Sequence, residues 1–396
     1  MKVFVFIPIM LLCATMSWAE TYVYANTYGA PLLPADAAEV GMGGAGSANT
    51  DGGNNALGNP AALALMKNSR FVLNAARLRS EYTTDKGHGV YNDYTIPWFS
   101  LNMATKNDFG AAVGYSEEYE GSFRAWADLY DGEEAIGRRE VWGKGTVPGY
   151  WGALGFKLTK DISIGARAIY YYGTIGQQWK LHFFRKDYLY SQYRLSSQRQ
   201  GVGGNLGVIW QQSPKLALGL NLTAPAYLAA TDVDWAGTRE YFRRDDRIVY
   251  PPSALLGINW QAAERTQFNL DVNYSLWSMA RYTVLDPPAV RDSFSIHAGG
   301  QWYPLPPSGN FLSNFALRGG LYFSQGYPAG VGQRFNEMGV TLGTGYRFSE
   351  NEDGKIDGAI ALGLRDGQSS ANEKLFRVWV SFVGIESWFF PPPEEE

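Results

Sequence analysis

Cysteine and histidine are almost absent: Cys13 is the one thiol, and His88, His182 and His297 are the three imidazoles in 396 residues. One thiol cannot form an internal disulfide, and three scattered imidazoles leave little for a metal site or for acid–base chemistry. No run of Lys or Arg stands out, and 34 basic residues face 38 acidic ones. A nucleic-acid partner is therefore not expected. Past the first 20 residues, no apolar run approaches the ~20 residues that a membrane-spanning helix needs. G-x-S-x-G is missing, and no Ser/His/Asp grouping can be argued, so an enzyme is not expected.

The one sustained apolar run is at the start, in MKVFVFIPIMLLCATMSWAE. Lys2 supplies the charged beginning, Val3 to Ala14 the apolar middle, and Ser17-Trp18-Ala19 a small-x-small cleavage site. Residues 1–19 therefore read as a secretory signal peptide. Leu12 precedes Cys13, where a lipoprotein signal would carry a small residue, so Cys13 is expected to leave with the leader. Without Lys2, 33 basic residues remain against 38 acidic ones. An exported chain without disulfides must find its stability elsewhere.

Glycine and aromatic residues are abundant, with 46 Gly, 25 Tyr, 21 Phe and 13 Trp. They fall into an alternating pattern. In TQFNLDVNYSLW (266–277), Phe268, Leu270, Val272, Tyr274 and Leu276 share one face, while Gln267, Asn269, Asp271, Asn273 and Ser275 share the other. Period-2 alternation this strict requires one apolar and one polar environment. About fourteen such segments can be marked: 69–82, 94–105, 109–120, 148–159, 162–176, 201–212, 215–226, 253–262, 266–277, 293–303, 315–324, 338–348, 356–366 and 375–388. Every second connection is tight, as at Lys160-Asp161 and Ser213-Pro214. Those between, 121–147, 177–200, 227–252, 279–292 and 325–337, are mostly long and polar, which places His88 and His182 in loops.

Short turns at one end, long loops at the other and an even strand count point to an all-β fold, a transmembrane antiparallel barrel of about 14 strands. Lipid offers backbone groups no hydrogen-bond partner, so only a closed sheet leaves none unpaired. Aromatic pairs such as Trp302-Tyr303 suit the headgroup boundary. A soluble propeller or sandwich also alternates, but it explains neither the loop lengths nor the polar second face. The expected location is the outer membrane of a Gram-negative-type bacterium. Residues 69–390 would form the barrel and 391–396 an acidic periplasmic tail.

Ahead of the first strand lies AEVGMGGAGSANTDGGNNALGNPAALA (38–64). Gly41, Gly43 and Gly46 spell G-x-G-x-x-G, yet the strand before and helix after that a dinucleotide loop requires are missing. No cofactor is expected. Gly and Ala instead let chain pack against chain, Asn accepts unusual backbone angles, and Pro60 stiffens a turn. Such a segment suits the filling of a barrel lumen.

The glycine-rich start, the Asn59-Pro60-Ala61 triplet and the hairpins PPSALLGINWQAAERTQFNLDVNYSLWS (251–278) and VTLGTGYRFSENEDGKIDGAIALG (340–363) resemble the FadL/TodX-like outer-membrane transporters of long-chain fatty acids and aromatic hydrocarbons. The resemblance implies a hatch, here residues 20–68, that plugs the barrel around Asn59, Pro60 and Ala61, with Gly43 and Gly44 in its gating part. It also implies passive uptake of small hydrophobic molecules, which leave an apolar pocket through a gap in the wall. Outer-membrane lipids, lipopolysaccharide and the barrel-assembly machinery are the further expected partners. Two features depart from the pattern. Residues 20–40, with Pro31 and Pro34, exceed what a hatch needs, and PPPEEE follows the aromatic Trp388-Phe389-Phe390 that resembles an assembly signal. A PorV-like docking barrel of a secretion system is the alternative within related proteins, and a general aqueous porin is a third.

The polar strand faces carry Arg167, Arg318, Arg347, Arg365 and Arg377, with Asp271 and Asp357. Arg167, Arg318 and Arg377 are candidates for gripping a ligand carboxylate, since a guanidinium can engage both oxygens. The alternative is that these charges pair with one another and with the hatch. Trp151, Trp277 and Trp379 are candidates for lining a greasy pocket or for interior packing. Asn351, Asp353 and Asp357 around Gly354 faintly suggest a calcium loop, but its closing glutamate is missing and no metal is expected.

Overall fold

The computed structural model describes residues 28–32, 35–50, 57–84, 87–105, 108–184, 191–237, 239–282, 289–305, 311–329, 335–348, 354–367 and 371–386. The leader, Cys13, Asn351, Asp353 and the acidic tail lie outside the described residues.

Among those residues, fourteen antiparallel strands close a barrel. In chain order they are Ser69–Thr84, Trp98–Ala104, Phe109–Glu120, Thr146–Lys157, Ile162–Phe183, Ser191–Ser213, Leu216–Thr223, Ser253–Ala263, Thr266–Ser275, Ser293–Trp302, Phe315–Gln325, Phe335–Arg347, Gly354–Gly367 and Ala371–Glu386. Each wall strand pairs with the next, and the last returns to the first from Ser69↔Glu386 to Thr83↔Asn372. That return removes the sheet's edges, as lipid demands. Alternation does the rest. Along Thr266–Ser275, Gln267, Asn269 and Asp271 are buried in the lumen, while Phe268, Leu270, Val272 and Tyr274 stay exposed on the lipid side.

The outer end departs from expectation. The segments 121–147, 177–200 and 227–252, read as polar loops, are largely strand. Two hairpins, Phe123–Asp131 with Glu134–Lys144 and Ala226–Ala236 with Arg239–Tyr250, flank the long strands Ile162–Phe183 and Ser191–Ser213. Together these six strands raise a sheet above the membrane. His182 therefore lies on Ile162–Phe183, and His88 on the short strand Gly87–Thr95, rather than in loops. Toward the tips, as along residues 239–243, both faces are exposed, so the apolar alternation fades while the hydrogen-bonded ladder persists; nearer the wall Arg199, Ile248 and Tyr250 are buried. The expected strand 94–105 is also interrupted, at Ile96–Pro97. Proline has no N–H to give to a ladder.

The segment ahead of the wall runs through the lumen. Tyr28–Leu32 lies at the outer end, where Ala30 and Pro31 pair with Glu120 and Tyr119. A five-residue helix, α1 (Ala37–Gly41), follows, against Phe335–Arg347 and Gly354–Gly367. Too short to persist alone, it is held by a capping box in which the Asp36 carboxylate accepts from Glu39 N at 2.8 Å and the Glu39 carboxylate from Asp36 N at 3.1 Å. The chain then travels round the inner wall, meeting the strands in reverse sequence order. Met42 and Gly43 lie against Gly299 and Gly320, Ser47 and Ala48 against Gly257 and Gly219, Pro60 against Gly207 and Gly165, and Leu63 against Gly155 and Gly110. It leaves as Ser69, the first wall residue.

These wall glycines form a track in which backbone lies on backbone. A Cβ at Gly110 would fall 2.2 Å from the Leu63 carbonyl oxygen, and one at Gly165 would fall 2.4 Å from the Pro60 carbonyl carbon. A Cβ on the lipid-facing Gly319 would meet nothing within 4 Å. Gly165→Val should therefore unseat the hatch at a cost of about 1–3 kcal/mol while Gly319→Ala changes nothing. Limited proteolysis between residues 57 and 68 of the folded barrel reads the difference.

Candidate functional site

Asn59 begins the 3₁₀ turn Pro60–Leu65, with Pro60 at its first position, where a missing N–H costs nothing. Its side-chain oxygen accepts from Ala61 N at 3.1 Å, and its amide donates to Val208 O at 3.1 Å. The side chain thus caps the turn and ties it to the wall at once. Gly58 O, just before it, accepts from Asn221, which is joined through Asn205 to Arg167.

Nearer the middle of the barrel, Gly43 and Gly44 have φ of 77° and 89°, the left-handed region where a side chain is disfavoured. Thr341 Oγ1 accepts from Gly43 N at 2.9 Å, and His297 Nδ1 lies 2.6 Å from Gly43 O. Asp271 accepts from Gly46 N and Ser47 N at 3.1 and 3.0 Å. Two consecutive N–H groups on one carboxylate form a small anion nest, filled here by the wall's own aspartate.

Above this floor a cavity of about 380 Å³ opens. Tyr119, Tyr171, Trp277 and Tyr327 line its aromatic roof. Tyr28 sits among Tyr250, Trp277, Tyr282 and Tyr327, with ring centroids 5.5–6.4 Å from its own. Tyr119 stacks on Tyr250 at 3.8 Å and Trp277 on Tyr327 at 3.6 Å. Arg199, 2% exposed, donates to Tyr28 O at 2.6 Å and to Tyr250 Oη at 2.8 Å, and Tyr327 Oη donates to Gly29 O at 2.6 Å. One N-terminal segment therefore builds both roof and floor.

The cavity's side reaches a seam in the wall. Strand Ser69–Thr84 pairs with the second wall strand as far as Leu73↔Phe99 and, beyond the gap, with the short strand Gly87–Thr95 from Ala76↔Thr95, leaving Asn74 and Ala75 out of the ladder on this side, opposite Ile96–Pro97. Ala76, Arg77, Leu78, Thr95 and Pro97 all line the cavity. Arg77 belongs to the outward face of its strand and lies over Tyr94, 5.1 Å from the ring centroid.

Of the arginines singled out in the sequence, Arg167 and Arg377 border the cavity and Arg318 does not. All three are engaged by protein groups. Arg318 Nη1 lies 2.7 Å from Asp357, which also meets Lys355 at 3.0 Å. Arg377 and Arg365 grip the two oxygens of Glu337, each at 2.6 Å. Arg167 donates to Asn205 at 2.7 Å and lies 3.6 Å from Glu118. Asp357, the described member of the faint calcium-loop pattern, is thus committed to ion pairing. Trp277 and Trp379 line the cavity, whereas Trp151 is buried elsewhere in the interior, with Arg167 5.9 Å from its ring centroid. Asn59, Pro60 and Ala61 are fully buried beneath the cavity and do not line it.

Sequence reading missed Tyr28, Arg199, Tyr250 and Tyr327. Each lies in a stretch without alternation, and only folding brings them together. Glu39 was missed as well, although Asp36-x-x-Glu39 is a legible capping pattern.

The geometry is that of a closed antiparallel β-barrel whose lumen holds a plug and, above it, a cavity. A sequence profile described as BamG matches residues 35–391, and the chain belongs to the BamG family. No curated protein sequence matches it. Among solved structures, a FadL homologue of Pseudomonas aeruginosa is similar at TM-score 0.67 and 15% identity, covering 91% of this chain and 100% of that one. The Ralstonia pickettii toluene transporter TbuX gives 0.61 and 15%, covering 89% and 99%. The P. putida toluene transporter TodX gives 0.61 and 17%, covering 90% and 99%. At these identities the shared property is the fold.

Burial, with Asp36 and Asp271 close by, raises the Glu39 carboxyl well above its usual range. A carboxyl whose value rises on docking favours its protonated form. Its contribution is present below the ordinary glutamate range and is lost as pH climbs through the raised value. Hydrogen exchange of residues 36–48 should therefore speed up, as pH rises above the ordinary glutamate range, beyond the intrinsic base catalysis. Glu39→Gln, which mimics the protonated acid, should flatten that excess.

Proposed function

We propose that this chain is an outer-membrane channel that takes up small hydrophobic molecules passively, admitting them beneath the aromatic roof and releasing them sideways at the Ile96–Pro97 seam. The observation that carries the reading is the cavity itself, bounded by roof and hatch and lined at its side by residues that flank the Ile96–Pro97 interruption of the wall. A volume of about 380 Å³ suits a small ligand. The similar structures, two toluene transporters and a FadL homologue, favour the same class of cargo. Glu337 between Arg365 and Arg377, together with Trp379 and Phe294, gives the cavity a charged patch beside apolar surface. An amphipathic molecule with a small polar head fits that lining better than a pure hydrocarbon.

Uptake of labelled long-chain fatty acids and alkylbenzenes should fall when the protein is deleted and return with the intact gene. Reconnecting the seam with Pro97→Val should lower uptake while leaving the folded barrel in the membrane. Unchanged uptake of every apolar compound on deletion would remove the proposal.

A second reading rests on the family match. The BamG name points toward the barrel-assembly machinery, and a barrel whose lumen arginines are all engaged could serve as an accessory subunit. That reading expects affinity-purified protein to carry assembly components, and its loss to deplete unrelated outer-membrane barrels.

A further inference from the structure

The raised sheet carries a cationic, indole-rich face turned outward. Along Ile162–Phe183 the even-numbered residues Tyr170 and Tyr172 face the lipid side. The ladder with Ser191–Ser213 runs without a shift from Ile162↔Trp210 to Leu181↔Ser191, so Gln178 and Lys180 keep that outward direction. A row of directly opposed residues crosses the sheet here: Arg124, Trp142, Gln178, Arg194, Trp235 and Glu240, the last of them paired with Arg243. The next outward row holds Trp126, Glu140 and Lys180.

The side chains interlock. Arg124 and Lys180 both lie on Trp142, 4.9 and 4.3 Å from the ring centroid, and Arg194 lies on Trp235 at 4.8 Å. Indole faces hold these cations in place without neutralising them. One carboxylate answers the three charges: Glu140 lies 3.7 Å from Arg124 and accepts from Trp142 Nε1 at 3.1 Å. Lys180 and Arg194 have no carboxylate partner among the described residues. An ordinary solvated face would interleave its charges, as Arg243 and Glu240 do nearby at 3.2 Å.

Position narrows the partner. Lys180 stands eight residues beyond Tyr172, roughly 20 Å above the aromatic boundary at ~3.3 Å per residue and a strand tilt of ~40°. That height is above the acyl chains and the headgroup boundary, in the sugar layer of an outer leaflet. Arg124 and Arg194, three strands apart, are separated by roughly 14 Å. The face looks sideways into the surrounding leaflet rather than up into the medium.

We propose that Arg124, Lys180 and Arg194, with their indoles, bind the anionic inner-core sugars of outer-leaflet lipopolysaccharide. Phosphate or carboxylate groups on the sugars meet the cations, and the sugar rings lie along Trp126, Trp142 and Trp235. This site is independent of the lumen and of what passes through it.

The test uses the full-length barrel in detergent. Native mass spectrometry counts glycolipid retained by the unchanged protein and by a triple variant, Arg124→Gln, Lys180→Gln, Arg194→Gln. Retention should fall about tenfold or more in the triple variant and stay unchanged in Arg243→Gln, whose guanidinium already has a partner. Delipidated protein should rise in melting temperature with added lipid A plus inner core. It should not respond to lipid A alone or to inorganic phosphate, and the triple variant should lose the response while melting normally without lipid. Equal retention by the triple variant overturns the proposal. So does an equal response to lipid A without sugars, or recovery of an acidic protein instead of glycolipid on this face. Should the triple variant fail to fold, Lys180→Gln alone, at a partly buried position, must still lower retention.

Discussion

Lipid cannot accept or donate a hydrogen bond, and everything in this protein follows from that. A sheet in such a medium must return to its own first strand, and here Ser69–Thr84 does so against Ala371–Glu386 over fifteen residue pairs. Closure sets two environments, one on each side of the wall. The outward row must be apolar, and the inward row is free to carry Asn, Gln, Asp and Arg that would be costly outside. Satisfying those inward groups then becomes the interior's problem, and the hatch is the solution: its backbone N–H and C=O groups meet Asp271, His297, Thr341 and Asn221.

The hatch can come so near because the wall lacks side chains where it passes. Eight of the wall strands named above each place a glycine under the hatch, which local preference does not explain, since glycine weakens a strand. A continuous track of them makes sense only as a bed for a second backbone. The same segment continues upward to Tyr28, where Arg199 and the tyrosines hold its carbonyls. Floor and roof are therefore one covalent chain, with α1 and its buried carboxyl pair between them. The lumen charges are spent on this architecture. Arg318 with Asp357, and Arg365 and Arg377 with Glu337, are buried pairs whose partners would be left stranded if one were removed.

Much of this was legible. Phe268 to Leu276 alternates because one face meets lipid, so the wall strands could be counted and their short turns placed. The triplet Asn59-Pro60-Ala61 announced a tight turn, and the inward direction of Arg167, Arg318 and Arg377 followed from parity alone. The outer hairpins were not legible. The outer half of Arg239–Tyr250, residues 239–245, is rich in charges on both faces because water bathes both, and such a stretch resembles a loop. Tyr28 carried no signal either, since its cage is assembled from Tyr250, Trp277, Tyr282 and Tyr327, residues more than 200 positions away.

By itself the sequence determined which residues face lipid and which face inward, since solvent polarity imposes a period of two on every strand regardless of its neighbours. Only the tertiary structure decided which inward charges neutralise each other, where the chain's own leader closes the lumen, and where the wall is interrupted. Those outcomes depend on the shear and closure of the whole cylinder, which juxtapose residues far apart in the chain, and no local pattern encodes that distance.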